Sequence, residues 1–452
     1  MKVRNNLAAL LLTMSALCNA ADVPEVSNVI MSQAADRLVT ITYSLSAAPA
    51  VVTLDIETNC VVDVTTTNWF SIGGANIQKV SGDVWKRVET GNRSIYWHAD
   101  ISWPDRKIME GGIRAVVTAW ALDNTPDYMV VDIAASAKAN TQHYYPSADF
   151  IPGGVLGRPD YRTTSIVMRK IMAKGVAWTM GSTTLETMRQ KWREVTHKVE
   201  LANNYYIGIF PVTQAQWDLI QDGRSVPSYF SAAADRAMRP VEQVSYNEIR
   251  NSLDTAENAE YNYPASPNPV SFLGKLRTKT GIDFDLPSEA QWEFAARAGN
   301  GDTKWGDGSG IMNSDEDANL GKLGRYQRNG GRVLNGSSYV NPAQSVGAEN
   351  GTAIVGSYSE NDWGLYDTFG NVWEWCLDWY SENITGIDGK TNVDPSAPNQ
   401  TLVGGSSSTR IIRGGGWCSP ASECRPAYRY NYEPTTRSLY AGFRLVCSAG
   451  LQ

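Results

Sequence analysis

The cysteines of this sequence could serve more than one chemical role. Beyond the first twenty residues they are Cys60, Cys376, Cys418, Cys424 and Cys447. In an exported protein, which the N-terminus predicts below, cysteines are first of all disulfide candidates, and an odd number leaves at least one unpaired. Three interpretations therefore stay open: a disulfide that joins Cys424 to Cys376 or Cys418, a redox-active or metal-binding pair of thiols, or a free thiol.

A second group of chemically capable side chains lies in GLYDTFGNVWEWCLDWY, residues 364–380. Acidic residues stand between aromatic rings here, and Gly370–Asn371 carries a turn signal. The stretch therefore predicts an irregular loop that some strong interaction must hold in place.

The C-terminal segment is dense in arginine and tyrosine, the side chains that often dominate binding surfaces. Its members are Arg425, Tyr428, Arg429, Tyr430, Tyr432, Arg437 and Tyr440. Tyr430 and Tyr432 are the candidate ligand-binding residues. The alternative interpretation is packing, in which Arg429 and Arg444 pair with buried carboxylates.

Several kinds of chemistry are disfavoured by counting. The chain has three histidines, and a Ser-His-Asp triad would have to use His197, for which a packing role is expected. No phosphate-binding glycine motif is present. The net charge of −7 argues against a nucleic-acid partner, which needs a basic face.

The N-terminus, MKVRNNLAALLLTMSALCNA, has a basic start, an apolar run and a small-residue end at residues 18–20. This pattern predicts a cleaved signal peptide over residues 1–20 and a secreted or periplasmic product. No later stretch has eighteen consecutive apolar residues, so no membrane span is expected.

Strand-like segments follow the signal peptide. In RLVTITYSLS, residues Val39, Ile41, Tyr43 and Leu45 share one face, and the pattern recurs in AVVTLDIET, RSIYWHADIS, GIRAVVTAWAL and YMVVDIAAS. We predict a β-sandwich of immunoglobulin or fibronectin type over residues 21–136. The polar stretch at residues 137–159 is interpreted as a linker.

The remaining chain predicts helices and long loops, so the whole protein is expected to be α+β. Capping boxes mark helix starts at TQAQ (Thr213), SYNE (Ser245) and SEAQ (Ser288). Two helices are expected to end at Gly281 and Gly299. After Gly299 the loops are so long that ions or disulfides are expected to fasten them.

Seven sequence motifs occur in order along the chain after the predicted linker: GVAWTMGS, YYIGIFPVTQAQW, RPVEQVSYNEI, FDLPSEAQWEFAARAG, GLYDTFGNVWEWCLDWY, RIIRGGGWCSPASECRPAYR and AGFRLV. Together they resemble the formylglycine-generating enzyme, or sulfatase-modifying factor, family over roughly residues 160 to 447. The resemblance implies a C-type-lectin-like fold rich in irregular loops, and we assign residues 160–449 to that domain.

The resemblance also implies a structural calcium ion on the aromatic stretch. The ligands by position are the side chains of Asp367 and Glu374 and the carbonyls of Gly370 and Val372, a set of oxygens that suits calcium. The alternative is that both carboxylates accept hydrogen bonds from loop amides. A second calcium site of the family would start at Asn319–Leu320, but its downstream Asp is not matched.

Catalytic members of the family bind copper(I) through two cysteines and oxidise a sulfatase cysteine to formylglycine. The positions that correspond here are Cys418 and Cys424, and thiolates suit copper(I). This sequence departs from the family pattern: Gly416 stands where the family has Ser, and Cys418 falls one position early. Copper is therefore expected only if the protein is catalytic.

Three classes of function follow. The first is a copper-dependent oxidase that acts on a protein or peptide substrate such as a sulfatase. The second is a non-catalytic module that binds a glycan or protein ligand on a C-type-lectin-like fold. The third is a surface structural protein in which both domains serve adhesion.

Overall fold

The N-terminal and C-terminal parts of the chain are built from different arrangements of short strands. The computed structural model describes residues 23–61, 67–106, 111–134, 141–222, 227–232, 234–251, 259–331, 333–335, 338–340, 351–381, 392–393 and 408–450. The predicted signal peptide, with Cys18, lies outside the described residues. Within them, no helix is long and apolar enough to cross a membrane.

Strands make up most of the regular structure. The strands of the first part are β1 (Glu25–Gln33), β2 (Leu38–Ser46), β3 (Ala50–Val61), β4 (Thr67–Ser71), β5 (Val80–Gly82), β6 (Lys86–Val88), β7 (Gly91–His98) and β8 (Ile113–Trp120). Those that follow are β9 (Tyr128–Asp132), β10 (Gln142–Tyr145), β11 (Ser165–Ile171), β12 (Ala177–Met180), β13 (His197–Glu200), β14 (Tyr205–Gly208), β15 (Val333–Asn335), β16 (Ser338–Val340), β17 (Trp373–Trp379), β18 (Asn392–Val393), β19 (Arg410–Arg413), β20 (Arg429–Tyr432), β21 (Ala441–Gly442) and β22 (Val446–Ser448).

The helices are short, and those after α1 lie in the second part of the chain. They are α1 (Ala99–Ser102), α2 (Gln214–Ile220), α3 (Tyr246–Arg250), α4 (Phe272–Thr280), α5 (Glu289–Arg297), α6 (Leu320–Leu323) and α7 (Ala421–Cys424). The α+β composition expected from the sequence is confirmed in this coarse sense.

The first part consists of two antiparallel sheets. One has the order β1-β2-β7-β5, and the other has the order β4-β3-β6 with β8 also on β3. The predicted alternation in β2 is confirmed, because Val39, Ile41, Tyr43 and Leu45 are all buried. They share a core with residues of β3. The finer assignment to an immunoglobulin or fibronectin type stays a prediction.

The next strands belong to a different sheet. β9 pairs with β11 and β10, and the full order of this five-stranded sheet is β10-β9-β11-β14-β22. β9 was placed in the sandwich and β10 in the linker by the sequence, so the sheets divide before the predicted boundary at 136. The segment after β10 is also anchored, because Phe150 and Ile151 are buried.

The three predicted capping boxes are confirmed. Thr213, Ser245 and Ser288 each accept a hydrogen bond from the backbone N–H three residues on, and the Gln or Glu there accepts one from the backbone N–H of the cap. α4 ends at Gly281 as predicted, with a left-handed backbone. α5 ends one residue earlier than predicted, at Ala298, which also has a positive φ.

The aromatic stretch is not a loop throughout, which corrects the sequence interpretation. The turn is present, since Gly370 and Asn371 have positive φ, but β17 begins at Trp373 and lies in the sheet β20-β19-β17-β21. Every residue of β17 is buried. A strand covered on both faces has no alternation of polar and apolar residues, so its period was invisible in the sequence.

Candidate functional site

Glu374 is held by an arginine. The Arg444 guanidinium donates to both carboxylate oxygens of Glu374, from Nε at 2.6 Å and from the second amino group at 2.7 Å. The Trp292 indole N–H donates to the same carboxylate at 2.6 Å. Both Glu374 and Arg444 are almost completely buried. This is the bidentate geometry of a strong charge-assisted pair.

Asp367 has a separate set of partners. Its carboxylate accepts hydrogen bonds from the backbone N–H of Gly356 at 2.7 Å and from the side-chain amide of Asn371 at 3.2 Å. Burial raises the pKa of Asp367 to about 6. Hydrogen bonds to loop amides are the alternative that the sequence left open for this residue.

The surroundings of the Glu374 carboxylate do not fit the expected calcium ion. A cation at Glu374 would have to share the carboxylate with the positive charge of Arg444, and Coulomb repulsion in a buried site opposes that. Gly370 does serve the turn: a Cβ there would lie 2.2 Å from the Arg325 carbonyl oxygen. Val372 is buried. Calcium on this loop stays a prediction, and the geometry supports an ion pair as the fastening.

Two further buried arginines of the C-terminal segments form ion pairs with glutamates of the helix α5. Arg429 donates to both oxygens of Glu289, at 2.6 and 2.8 Å. Arg413 donates to Glu293, and Arg297 donates to the same carboxylate at 2.9 Å. The packing alternative for Arg429 and Arg444 is therefore confirmed by the geometry.

Arg425 clamps the loop of residues 182–196 against α7. It donates to both oxygens of Glu194, at 2.9 and 2.6 Å, and to Glu186. Burial raises the pKa of Glu186 to about 7. For Glu194 burial acts in the same direction, but hydrogen bonds from Arg425 outweigh it and lower the pKa.

The four cysteines of the second part are buried thiols. None of Cys376, Cys418, Cys424 and Cys447 forms a disulfide, so the structure does not contain the predicted bridge between Cys424 and Cys376 or Cys418. Cys376 and Cys424 instead fill apolar space as thiols in one cluster with Trp292 and Phe369. Free cysteine packs as a small apolar side chain in such a setting.

The cysteine pair does not fit a copper(I) site as the residues stand. Cys418 packs with Phe230 and Trp417, a different cluster from that of Cys424. Burial raises the pKa of the Cys424 thiol well above its usual value, and the nearby Glu423 and Cys418 raise it further. A thiolate at Cys424 therefore lacks the cationic surroundings that usually prepare one. Within the described ranges, no group of three or more His, Cys, Asp or Glu side chains could hold a metal.

Tyr430 and Tyr432 lie together on an aromatic surface. Their ring centroids are 5.6 Å apart in an edge-to-face arrangement, and Trp373 lies 5.8 Å from Tyr430. The Arg193 guanidinium lies over the Tyr430 ring at 5.7 Å. Tyr430 is 37% exposed. We call these two tyrosines with Trp373 and Arg193 the tyrosine surface.

Arg193 is the member of this surface that the sequence reasoning missed. It belongs to a loop that is 236 residues away along the chain from Arg429, which donates to its carbonyl at 3.2 Å. The sequence Lys191-Trp192-Arg193 places two cations beside an aromatic ring in a polar loop, and this pattern could have predicted a binding role for Arg193. His197 has the packing role expected of it, with Nδ1 at 3.0 Å from the Val195 carbonyl.

The fold and the buried arginine-glutamate pairs define a sheet-rich, loop-built domain with few helices. The model of the sulfatase-modifying factor enzyme 1-like domain matches residues 169–449. This match takes in more than half of the chain, so the protein belongs to that family, as the sequence words predicted.

Relatives within this similarity carry different names. The chain is 36% identical over 172 residues to a formylglycine-generating enzyme of Streptomyces coelicolor, a match covering 37% of this chain. It spans about half the length of such relatives, 47% for that enzyme and 54% for one from Thermomonospora curvata. It is also 29% identical over 260 residues to the chaperone protein LppX of Paenibacillus barcinonensis, covering 54% of this chain and 81% of that protein.

Among solved structures, a similar one is Treponema denticola variable protein 1. The sequence identity is 25%, the match covers 63% of this chain and 96% of that one, and the TM-score is 0.45.

Proposed function

We propose that the C-terminal domain is a non-catalytic binding module that engages a protein or peptide partner through the tyrosine surface. The observation that carries the proposal is the exposure of Tyr430 within a packed cluster. Aromatic rings held by neighbours lose little conformational entropy on binding, which favours them as interface anchors.

The charge of the surface adds to this. Arg193 contacts Tyr430, and within the described residues it forms no ion pair, whereas Arg425 and Arg429 each meet a glutamate. Farther along the C-terminal segment that carries Tyr430, the exposed Arg437 forms an ion pair with Glu248 at 2.6 Å. A surface of this composition suits a partner that offers carboxylates between apolar side chains.

The second candidate is the oxidase, which the names of the relatives favour. Both Cys418 and Cys424 are present as thiols, but their separate apolar surroundings and the raised pKa of Cys424 weigh against a thiolate pair. The proposal also includes export, supported by the N-terminal sequence pattern.

The binding proposal is tested with peptides selected on the exported protein by phage display. Tyr430→Ala and Tyr432→Ala should each weaken binding of the selected peptides by about tenfold or more, as for interface anchors. Tyr96→Ala is the matched control, because Tyr96 lies on β7 and is 40% exposed. Failure to select any peptide, or equal loss in the Tyr96 variant, would contradict the proposal.

A further inference from the structure

The loop of residues 182–196 presents a tryptophan to solvent beside the tyrosine surface. Trp192 is 72% exposed. The Lys191 ammonium lies over its ring, 4.5 Å from the ring centroid. The next residue, Arg193, lies over the ring of Tyr430. We call Lys191, Trp192 and Arg193 the Trp192 turn, which continues the tyrosine surface with one more aromatic ring and one more cation.

The backbone of the Trp192 turn is fixed. The Gln190 carbonyl accepts hydrogen bonds from the backbone N–H groups of Arg193, at 2.9 Å, and of Glu194, at 3.1 Å. Glu194 in turn binds the buried Arg425 through both carboxylate oxygens. A ring on a fixed backbone loses little conformational freedom on binding, and tryptophan is among the commonest anchors of interfaces. Trp192 is therefore placed to serve as one.

The exposed charge of this loop is positive. Its acidic residues are Glu186 and Glu194, and both side chains are buried against Arg425. Lys191 and Arg193 contact aromatic rings, and within the described residues neither is paired with a carboxylate. The whole chain has a net charge of −7, so these cations lie on an otherwise acidic protein. Complementary charge favours a partner that places carboxylates here.

The surroundings of the turn favour a protein over a membrane as the source of those carboxylates or other anions. Elements that lie on a membrane surface are commonly amphipathic helices with a long apolar face. Residues 182–196 contain no helix. The turn instead adjoins Tyr430 and Tyr432, whose packed rings suit a peptide. One continuous surface is then occupied by one partner.

We propose that the Trp192 turn binds an acidic segment of the partner protein, with carboxylates at Lys191 and Arg193 and an apolar side chain packed on Trp192. This inference rests on the proposed function, because it takes the partner to be a protein. It adds a second anchor beside the tyrosine surface and names the chemistry of the bound segment. The ring contributes affinity, and the cations select for acidic residues.

The test starts from peptides selected by phage display on the full chain. The tightest peptide is synthesised with a counterpart in which asparagine and glutamine replace all aspartates and glutamates, and both are titrated by calorimetry. The acidic peptide should bind about tenfold more tightly than its counterpart, and its affinity should fall as salt screens the charges. Trp192→Ala should weaken binding by about tenfold.

The double variant Lys191→Gln with Arg193→Gln tests whether the carboxylates act at this turn. It should bring the two peptides to within about twofold of each other, because the counterpart gains nothing from the cations. Lys174→Gln with Lys304→Gln is the matched control, since it removes two exposed cations elsewhere. Phe70→Ala is the aromatic control, since Phe70 is 56% exposed on β4. Both controls should keep the wild-type preference for the acidic peptide.

The outcomes separate this proposal from the proposed function. If Tyr430→Ala weakens binding and Trp192→Ala does not, or if the amide counterpart binds equally well, the inference is overturned and the proposed function stands. Loss with Trp192→Ala and none with Tyr430→Ala would support the inference and contradict the role of the tyrosine surface. Failure to select any peptide overturns both.

A membrane partner is the remaining alternative. It is tested by sedimentation of the full chain with phosphatidylserine vesicles. Binding that the Lys191→Gln, Arg193→Gln variant loses would overturn the inference in favour of a lipid surface, and no binding is expected. Lys191 and Trp192 are exposed, so their variants should fold.

Discussion

At the scale of single residues, carboxylates in the second part of the chain fall into two groups. Glu289, Glu293 and Glu374 each meet a buried arginine. Glu242 has no cation beside it; one oxygen accepts from the Phe230 N–H at 3.0 Å, and the other has no partner among the described residues. A buried arginine compensates the charge of each member of the first group, and no cation compensates that of Glu242.

Glu242 makes a pH-dependent prediction. Burial raises its pKa from 4.5 to about 7, so the folded state holds the proton more tightly than the unfolded chain does. Stability is therefore lost as pH rises from about 4.5 through about 7. We expect Glu242→Gln, which has no proton to lose, to gain stability relative to wild type across this window.

The measurement is denaturant unfolding of both proteins at several pH values in that window. Exposed Glu433→Gln is the control and should follow the wild-type profile. Parallel wild-type and Glu242→Gln profiles would show that Glu242 does not titrate in the folded state as described.

Residue roles were only partly open to prediction from the sequence. Pairing of Arg429 and Arg444 with buried carboxylates was foreseen as an alternative, because arginine in an apolar C-terminal word needs a partner. The partners were not, since Glu289 lies 140 residues and Glu374 lies 70 residues away along the chain.

At the scale of elements, β17 is fixed by its ion pair. It is covered on both faces, and Glu374 in its second position meets Arg444 from the chain just before β22. Removing one partner of a buried pair leaves the other charge without compensation. The pair is therefore one fastening of this segment that the structure shows, and the calcium ion that the sequence resemblance implied stays a prediction.

We expect Glu374→Gln to destabilise the protein by about 3 to 5 kcal/mol, because Arg444 would remain buried and unpaired. Glu57→Gln is the matched control: Glu57 binds Arg114 at 2.6 Å in a partly exposed pair, and its loss should cost at most about 1 kcal/mol. The change is measured by denaturant unfolding, with and without a calcium chelator.

The chelator separates the two ways of fastening β17. If Arg444 holds the strand, chelation leaves the wild-type unfolding free energy unchanged and Glu374→Gln is destabilised equally in both buffers. A large stability loss of the wild type on chelation would instead support the calcium prediction.

Elements differed in how visible they were in the sequence. Helix starts at Thr213, Ser245 and Ser288 were predictable, because a capping box is a local pattern of four residues. β17 was not, since a doubly covered strand next to a turn has no period-two signal. The end of α5 shifted because Ala298 adopts the left-handed conformation expected of Gly299.

At the scale of the whole molecule, the two-sheet N-terminal part leads directly into strands that pair with the loop-rich family domain. β9 and β10 follow the first part in sequence but pair in the five-stranded sheet with β11. The composition of residues 137–159 did not predict the strand β10 in this segment, because strand pairing depends on residues that are far apart along the chain. The family and the coarse fold were predictable, since seven words in order identify the domain.

Family membership does not by itself decide between oxidation and binding, and the proposed function is that this domain binds its partner without converting it. The measurement is mass spectrometry of a CxPxR peptide incubated in air with the protein, copper(I) and an excess of a thiol reductant, which supplies the two electrons that oxygen needs beyond those from the cysteine. A formylglycine-generating enzyme serves as the positive control. We predict that the peptide keeps its cysteine thiol; formation of the aldehyde, abolished by Cys418→Ser or Cys424→Ser, would show instead that the domain is an oxidase.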